Sequence, residues 1–348
     1  SLAQVAQETL AIIANGSYCS SEGAIVDVSE FIAQSVDGTA LYRPSHHDPL
    51  LQQRQRSIGS LPSTTANTDK TDLLREDPKP LVGVETASSD CSGGSRRANV
   101  ADEELVQASG ATNMTTLFEV TNETSLRACR RVIVEEGAFN GSLVACLNFA
   151  SAKNAGGGFL RGAKAQEESL ARSSSLYASL TCPAAALYYE FNRAIKPNRG
   201  IYSDHLIWSP NVVVFRDDDC SLLSQPFTVN FITSPAVNAG VYKRFAPVNK
   251  KEEKNDDNNY ASDELNVTMR RRVRTVLATA LERQQRCLIL GAWGTGCFQN
   301  ESDHVVDWFH EALTGDFADC FERVIFAVLD DTADKKKLAV FLNRFGNK

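Results

Sequence analysis

Three consecutive glycines and two adjacent glutamates are the residues of this sequence whose types and spacing could support catalysis. Gly156, Gly157 and Gly158 follow an apolar run, and a seven-residue spacer and a glutamine separate them from Glu167 and Glu168. A glycine loop lets backbone N–H groups approach an oxyanion closely, and the start of a helix adds a partial positive charge. The pattern therefore predicts an anion-binding loop followed by a carboxylate that can act as a general acid or base.

The two glutamates cannot share one task symmetrically. Neighbouring side chains on an α-helix point about 100° apart, so Glu167 and Glu168 cannot flank a glycosidic bond from opposite sides. One of them must therefore do most of the chemistry. The start of a helix favours their ionisation, whereas the neighbouring carboxylate and a bound diphosphate oppose it. An acidic cap that only stabilises the helix is the alternative interpretation.

A second glycine-rich stretch has the same setting, after an apolar run and before a helix. It reads "LILGAWGTGCF" and contains Gly294 and Gly296. It lacks the Gly-Lys-Ser/Thr ending of a Walker A loop, and Gln299 stands where the third glycine of G-x-G-x-x-G belongs. This disfavours P-loop NTPases and dinucleotide dehydrogenases. Either loop alone is consistent with a tight turn, but a pair in matching positions favours a diphosphate held between them.

The elements that must position these loops alternate between strand and helix. Strands are predicted in "TLFEV", "SLVACLNFAS", "HLIWSPNVVVFRD", "FTVNFITSP", "CLIL" and "RVIFAVL", and helices begin near Ala165, Asp263 and Ser302. Nearly continuous apolar strands between helices indicate a sheet buried on both faces. The sequence therefore predicts a three-layer α/β fold, a mixed sheet flanked by helices, with an N-terminal helical extension.

Composition suggests how the chain is divided and where it acts. Residues 1–45 are predicted to form accessory helices on the core, 46–111 a disordered insertion, and 112–348 the α/β core, with a mobile polar loop at 250–264. The net charge of −7 disfavours direct nucleic-acid binding, and no apolar run approaches the length of a membrane span. The nine cysteines include no C-x-x-C pair. We therefore expect an intracellular protein, cytoplasmic or nuclear, without a membrane partner.

The spacing of the glycines and glutamates resembles a family signature. GGG, a short spacer and QEE are typical of poly(ADP-ribose) glycohydrolases, and the chain resembles their microbial type, a macrodomain with extra helices. The resemblance includes "ETLAIIANGSY", "NFASAKNAGGGFLRGAKAQEE", "YSDHLIWSPNVVVFRDDD", "FITSPAVNAG" and "LGAWGTGCFQN", so it covers roughly 1–45 and 112–346. It implies a macrodomain-like fold.

The resemblance also implies roles for individual residues. Glu168 would be the catalytic acid/base, and Glu167 would hold ribose hydroxyls together with Asn154. The first glycine loop would lie against the diphosphate, the second would bind it, and Phe298 would pack on the ribose. The substrate-binding residues implied in this way are Asn154, Gly156, Gly157, Gly158, Gln166, Asn238, Gly294, Thr295, Gly296, Cys297 and Phe298.

The implied reaction is hydrolysis of ribose–ribose O-glycosidic bonds in poly(ADP-ribose), which releases ADP-ribose and reverses ADP-ribosylation, a modification of the DNA damage response. The family needs no cofactor and no metal. The expected partners are the polymer and ADP-ribosylated proteins, with the enzyme as a monomer. Val237 and Thr295 stand where the family often has Pro and Cys, and these departures concern the fit of the ligand rather than the acid/base.

Two other functions stay open. A non-catalytic macrodomain reader would bind ADP-ribose or its polymer without cleaving it, although the intact Gln-Glu-Glu argues against this. A metal-dependent ADP-ribosyl hydrolase would need ligands such as Asp217, Asp218 and Asp219, but three carboxylates in a row suit a solvated turn better than a metal cage. The histidines lack H-E-x-x-H spacing, which disfavours a zinc hydrolase.

Overall fold

In the computed structural model of the chain, the described residues are 1–46, 115–197, 199–245 and 264–346. The predicted insertion at 46–111 lies outside them except for His46, and the predicted polar loop at 250–264 lies outside them except for Glu264.

A mixed sheet is the middle layer of the fold. The strands of the described residues are Ser17–Cys19 (β1), Ile25–Asp27 (β2), Ala40–Tyr42 (β3), Leu117–Thr121 (β4), Val144–Phe149 (β5), Leu206–Arg216 (β6), Leu222–Ser234 (β7), Cys287–Gly291 (β8) and Arg323–Ala327 (β9). β1 and β2 pair with each other, and seven of the described strands form one sheet in the order β3-β6-β7-β5-β8-β9-β4. β7, β5, β8, β9 and β4 are parallel, whereas β6 runs antiparallel to both of its neighbours.

Helices cover both faces of this sheet. Those of the described residues are Leu2–Asn15 (α1), Ser29–Asp37 (α2), Ser125–Arg130 (α3), Gln166–Ser173 (α4), Leu176–Thr181 (α5), Pro183–Ala194 (α6), Ala239–Phe245 (α7), Glu264–Glu282 (α8), Ser302–Thr314 (α9) and Lys336–Phe345 (α10). One face packs against α8, α9 and α10, and the other against α3 to α6. The predicted mixed sheet flanked by helices is therefore confirmed.

Burial explains why the central strand is almost continuously apolar. In β5, Val144, Ala145, Cys146 and Leu147 are all at most 2% exposed, and their side chains alternate between the two cores. A strand with helices on both faces gains from apolar side chains at every position. β5 is thus rigid, and its carboxyl end is a fixed point from which the first glycine loop starts.

The N-terminal helices contact the core at two places. Ala6 of α1 is buried with Phe159 and Ala171, which lie on either side of Glu167 and Glu168 in the sequence. Farther along, α1 and α2 pack against β6 at Val213 and Phe215. α1 therefore packs against α4. In the described part of the chain, no helix is both long and apolar enough to cross a membrane.

Candidate active site

The two glycine loops lie side by side at the carboxyl edge of the sheet. β5 and β8 are parallel neighbours with Ala145 opposite Leu288, so the segments that follow Phe149 and Gly291 begin next to each other. A cavity of about 670 Å³ lies there, and small-molecule sites commonly occupy such crevices. Its walls include Ser151, Gln166, Glu167, Glu168, Gly294, Thr295, Gly296, Cys297 and Phe298.

The first glycine loop folds around the two glutamates. Gly156 and Gly157 have φ of +64° and +60°, a left-handed conformation that glycine adopts without steric cost. A Cβ atom on Gly157 would lie 2.3 Å from Glu168 Oε1 and 3.0 Å from Glu167 Oε2. A side chain at 157 would therefore have to displace these carboxyl groups, which occupy the space that it would take.

The N–H groups of this loop point to the same carboxyl groups. Gly158 N–H donates to Glu168 Oε1 over 2.8 Å, and the nearby Gly156 N–H lowers the pKa of Glu167. The loop thus uses these two donors to hold the glutamates in place. This geometry differs from the expectation that residues 156–158 offer their N–H groups to a diphosphate.

Glu168 combines a fixed position with access to the cavity. The side chain is half-buried and lines the cavity, and Gly158 fixes one of its carboxyl oxygens. Among the described residues its other oxygen accepts no hydrogen bond, so that oxygen can meet a ligand. A carboxyl group held at one oxygen and open at the other suits proton transfer to a bound substrate.

Glu167 lies deeper than Glu168. It is 3% exposed, and Ser151 N–H donates to its Oε2 over 2.7 Å. Asn148 Nδ2 lies 3.4 Å from its Oε1 and also donates to Thr233 Oγ1 over 3.2 Å. Burial, with a further contribution from the neighbouring Glu168 carboxylate, raises the pKa of Glu167 to about 8 against the opposing hydrogen bonds. Glu167 therefore carries a proton at neutral pH.

This pKa predicts how stability depends on pH. The folded protein keeps the Glu167 proton up to about pH 8, whereas an unfolded chain releases a Glu proton near its ordinary pKa of about 4.3. The folded state then binds more protons between these values, so its stability falls as pH rises through this window, by up to about 1.4 kcal/mol per pH unit. We expect Glu167→Gln to flatten this loss in thermal unfolding measured from pH 5 to 8.

A matched control separates Glu167 from the other carboxylates of the chain. Glu190 is an exposed glutamate on α6, so Glu190→Gln should retain the pH dependence of the wild type. If the stability of Glu167→Gln falls with rising pH as steeply as that of the wild type, Glu167 is not buried in its protonated form.

Gln166 joins the start of α4 to the end of β5. Its Oε1 accepts from Phe149 N–H over 2.9 Å, and its Nε2 donates to Leu147 O over 2.8 Å and to Ser125 Oγ over 3.1 Å. Both amide hydrogens are therefore used within the protein. These contacts support a positioning role for Gln166, which fixes the helix turn that carries Glu167 and Glu168, in place of the expected contact with substrate.

The second glycine loop presents free backbone donors to the cavity. Asn300 Nδ2 donates to Gly294 O and to Val237 O, which fixes the base of the loop. The N–H groups of Gly296, Cys297 and Phe298 donate to no acceptor within the described residues. Consecutive free N–H groups form a concave anion site, so this loop can bind a diphosphate.

Phe298 extends from this loop toward an aromatic neighbour that the sequence did not single out. Its ring centroid lies 6.0 Å from that of Tyr202, whose backbone has a φ of +61°. Arg272 is 1% exposed and donates to the carbonyl oxygen of Tyr202 over 3.0 Å. Such a φ is strained for an aromatic residue, and the buried guanidinium helps to hold Tyr202 behind Phe298.

Asn154 and Asn238 do not line this cavity. Asn238 Oδ1 accepts from Val241 N–H over 3.0 Å and so caps α7. Asn154 is exposed, and its carbonyl oxygen accepts from Gly157 N–H over 3.0 Å. The structure thus places Asn154 at the outer rim of the first glycine loop, and it brings the two glutamates and the second loop together around the cavity.

Asn148 and Arg172 are residues that sequence reasoning missed. Asn148 is a fully buried amide in an otherwise apolar strand, and Arg172 is a 95% buried arginine in the short helix α4. Buried polar groups need partners. A single polar residue in a strand that is predicted to be buried on both faces was therefore the signal that could have identified Asn148. Nothing in the sequence showed that the partner of Asn148 would be Glu167.

The acidic run proposed as metal ligands is engaged elsewhere. Asp217 pairs with Arg130, Asp218 Oδ2 accepts from Thr124 Oγ1 over 2.7 Å, and Asp219 Oδ1 accepts from Ser221 over 2.6 Å. Within the described ranges, no three His, Cys, Asp or Glu side chains converge as metal ligands would.

Known proteins of one family are similar to this chain. The family model described as "Microbial-type PARG, catalytic domain", where PARG denotes poly(ADP-ribose) glycohydrolase, matches residues 6–111 and 99–217. No curated protein matches the chain.

Solved structures match over nearly the whole chain. Poly(ADP-ribose) glycohydrolase from Thermomonospora curvata is 36% identical, with 99% of each chain covered and a TM-score of 0.72. The same enzyme bound to the inhibitor ADP-HPD is 35% identical, again with 99% of each chain covered, and has a TM-score of 0.71. Poly(ADP-ribose) glycohydrolase from Deinococcus radiodurans in complex with ADP-ribose is 34% identical, covers 90% of this chain and 96% of its own, and has a TM-score of 0.64.

Proposed function

We propose that this chain, which belongs to the family of microbial-type poly(ADP-ribose) glycohydrolases, cleaves the ribose–ribose O-glycosidic bond with Glu168 as its single acid/base. Family membership makes the chain an enzyme that hydrolyses poly(ADP-ribose), with a macrodomain-like fold. The observation that carries the finer assignment is that Glu168 is fixed by Gly158 N–H and still lines the cavity.

In the proposed reaction, Glu168 first donates a proton and later accepts one. Protonated Glu168 donates to the leaving ribose oxygen while the anomeric carbon acquires oxocarbenium character, and the resulting carboxylate then takes a proton from the attacking water. The bond between the anomeric carbon and the leaving oxygen breaks, and a bond to the water oxygen forms. Glu168 is regenerated in its protonated form, so each turnover consumes only water.

Glu167 has a different task in this proposal. Since its raised pKa leaves it neutral at pH 7, its carboxyl group can both donate and accept a hydrogen bond to the ribose hydroxyls. A neutral Glu167 also adds no negative charge beside a polyanionic substrate. Asn148 and Ser151 hold its two oxygens, so they determine the direction in which it meets the ribose.

The second loop supplies the anion site of the proposal. The free N–H groups of Gly296 and Cys297 face the cavity and can bind the diphosphate of ADP-ribose, and Phe298 can pack on the ribose beside it. The ADP-ribose and ADP-HPD bound by the relatives are the expected ligands here. A diphosphate held in this loop would stabilise the positive charge of the transition state.

Incubation with poly(ADP-ribose) tests the proposal directly. We expect the wild-type protein to release free ADP-ribose, detected by chromatography, from both free polymer and ADP-ribosylated proteins. A chelator should leave the rate unchanged, because no step uses a metal. Tight binding of the polymer without release of ADP-ribose would contradict the proposal and indicate a macrodomain reader.

A further inference from the structure

The cavity that Glu168 lines is walled in part by α4 and its neighbours. This part of the wall, here called the α4 groove, consists of Leu2, Lys164, Ser169, Arg172 and Cys220. The proposed mechanism uses none of these side chains. A groove that starts at the acid/base and contains two cations therefore needs its own explanation.

Arg172 is a buried cation without an acidic partner. It is 5% exposed, and its Nη1 donates to the carbonyl oxygen of Ala163. Within the described residues no carboxylate lies at ion-pair distance from its guanidinium. Burial lowers its pKa, and the attraction of Glu168 opposes this shift. A buried charge is costly unless an ion or ligand of opposite sign compensates it.

The position of Arg172 relative to Glu168 is informative. They are four positions apart on the helix, so their Cα atoms are about 6 Å apart along the axis and their side chains lie on neighbouring parts of one face. Thr9 Oγ1 of α1 donates to Arg172 O over 2.6 Å, which fixes this turn of the helix. Lys164 is exposed at the mouth of the same groove.

The surrounding segment is locally cationic in an acidic chain. Residues 137–197 contain six Lys or Arg and only three Glu or Asp, of which two are Glu167 and Glu168, whereas the whole chain has a net charge of −7. Within the described ranges, none of these cations forms an ion pair with a carboxylate; they are Lys153, Arg161, Lys164, Arg172, Arg193 and Lys196. A segment with more cations than carboxylates favours a polyanionic ligand.

We infer that the α4 groove is a second anion subsite, in which Arg172 and Lys164 bind the diphosphate of the ADP-ribose unit on the leaving side of the scissile bond. The inference rests on the proposed cleavage at Glu168, because only a polymer places a second diphosphate beyond that residue. The second glycine loop binds the diphosphate of the released unit, and the α4 groove binds that of the unit that stays on the polymer. Free ADP-ribose has one diphosphate and can occupy one subsite at a time.

Two substrates that differ only in the leaving group test this subsite. One is poly(ADP-ribose), and the other is a 1″-aryl glycoside of ADP-ribose, whose leaving group has no phosphate. We expect Arg172→Gln to raise KM for the polymer about tenfold or more, since it removes charge-assisted hydrogen bonds. Lys164→Gln should raise it about threefold, because Lys164 is exposed. KM for the aryl glycoside should change less than about twofold, because that substrate does not reach these side chains.

Ionic strength and a charge-matched variant provide the controls. Each lost cation should lower the slope of log KM for the polymer against log salt by about 0.7, the value for a single-stranded polyanion. Lys336→Gln removes one charge from a side chain that is 85% exposed and pairs with Asp334 on the surface, so its KM and salt slope should match the wild type.

Each outcome decides between distinct explanations. If Arg172→Gln does not fold, Lys164→Gln and its salt slope carry the test alone. Equal increases in KM for the polymer and the aryl glycoside, or an unchanged polymer KM and salt slope in Lys164→Gln, would overturn the subsite. A wild-type protein that cleaves neither substrate would instead overturn the proposed function.

Discussion

Glu168→Gln is expected to lower kcat for poly(ADP-ribose) hydrolysis by about 10² to 10⁴, the usual contribution of general acid/base catalysis. Glutamine keeps the shape of the side chain, and its Oε1 can still accept from Gly158 N–H, which donates to Glu168 over 2.8 Å. It cannot donate a proton to the leaving oxygen or accept one from water. The measurement is the rate of ADP-ribose release, with ADP-ribose affinity measured by calorimetry on the same sample.

The two readouts distinguish catalysis from binding. Since the second glycine loop supplies the free N–H donors, the affinity for ADP-ribose should change less than about tenfold in Glu168→Gln. Glu190→Gln, an exposed glutamate on α6, serves as the control and should match the wild type in both measurements. A Glu168→Gln protein that hydrolyses the polymer at the wild-type rate would remove Glu168 from the acid/base role.

The environment of the two glutamates separates their tasks. Their side chains leave α4 in different directions, and Glu167 enters the core at 3% exposure while Glu168 lines the cavity. A buried carboxyl group keeps its proton, whereas one that is half-solvated can release and regain it. The sequence predicted that the pair is not symmetric, but burial, on which the proposed division of tasks rests, depends on tertiary packing.

The architecture was predictable because its signal is local. Continuous apolar runs such as "SLVACLNFAS" indicated strands buried on both faces, and Val144–Phe149 is the central strand of the sheet. The break after α4 was not predictable in this way. Ser174 is extended and bridges Val214 of β6, and its hydroxyl donates to Leu170 O. A partner on a strand 40 residues away in the sequence ends the helix there.

The site, too, combines features that follow from local sequence with contacts that depend on packing between distant residues. The two glutamates of the motif line the cavity, but the direction of the N–H groups of the first glycine loop was not evident from residue types. Gln166 is a similar case, since its amide bonds to Leu147 and Phe149 of β5 rather than facing a ligand. Asn148 bonds to Thr233, which is 85 residues away in the sequence, and to Glu167, which is 19 residues away. Motif spacing locates a site, and packing assigns the contacts.

Gly157→Ala is expected to lower kcat about 10²-fold, because the added methyl group must displace the catalytic carboxyl group. Its Cβ would lie 2.3 Å from Glu168 Oε1, so Glu168 has to move away from the position that Gly158 N–H fixes. A displacement of about 1 Å at a reacting group can cost this much in rate. The measurement is kcat for polymer hydrolysis together with the thermal midpoint of unfolding.

Gly137→Ala isolates the backbone part of this effect. Gly137 has a φ of +59°, close to the +60° of Gly157, but nothing lies within 4 Å of its Cβ position. Both substitutions therefore impose the same left-handed strain on alanine, about 1 kcal/mol, and both should lower the unfolding midpoint. Only Gly157→Ala should also reduce kcat, because only there does the methyl group meet a carboxyl oxygen. If the two variants retained equal activity, the loop would be a permissive turn rather than the element that positions the acid.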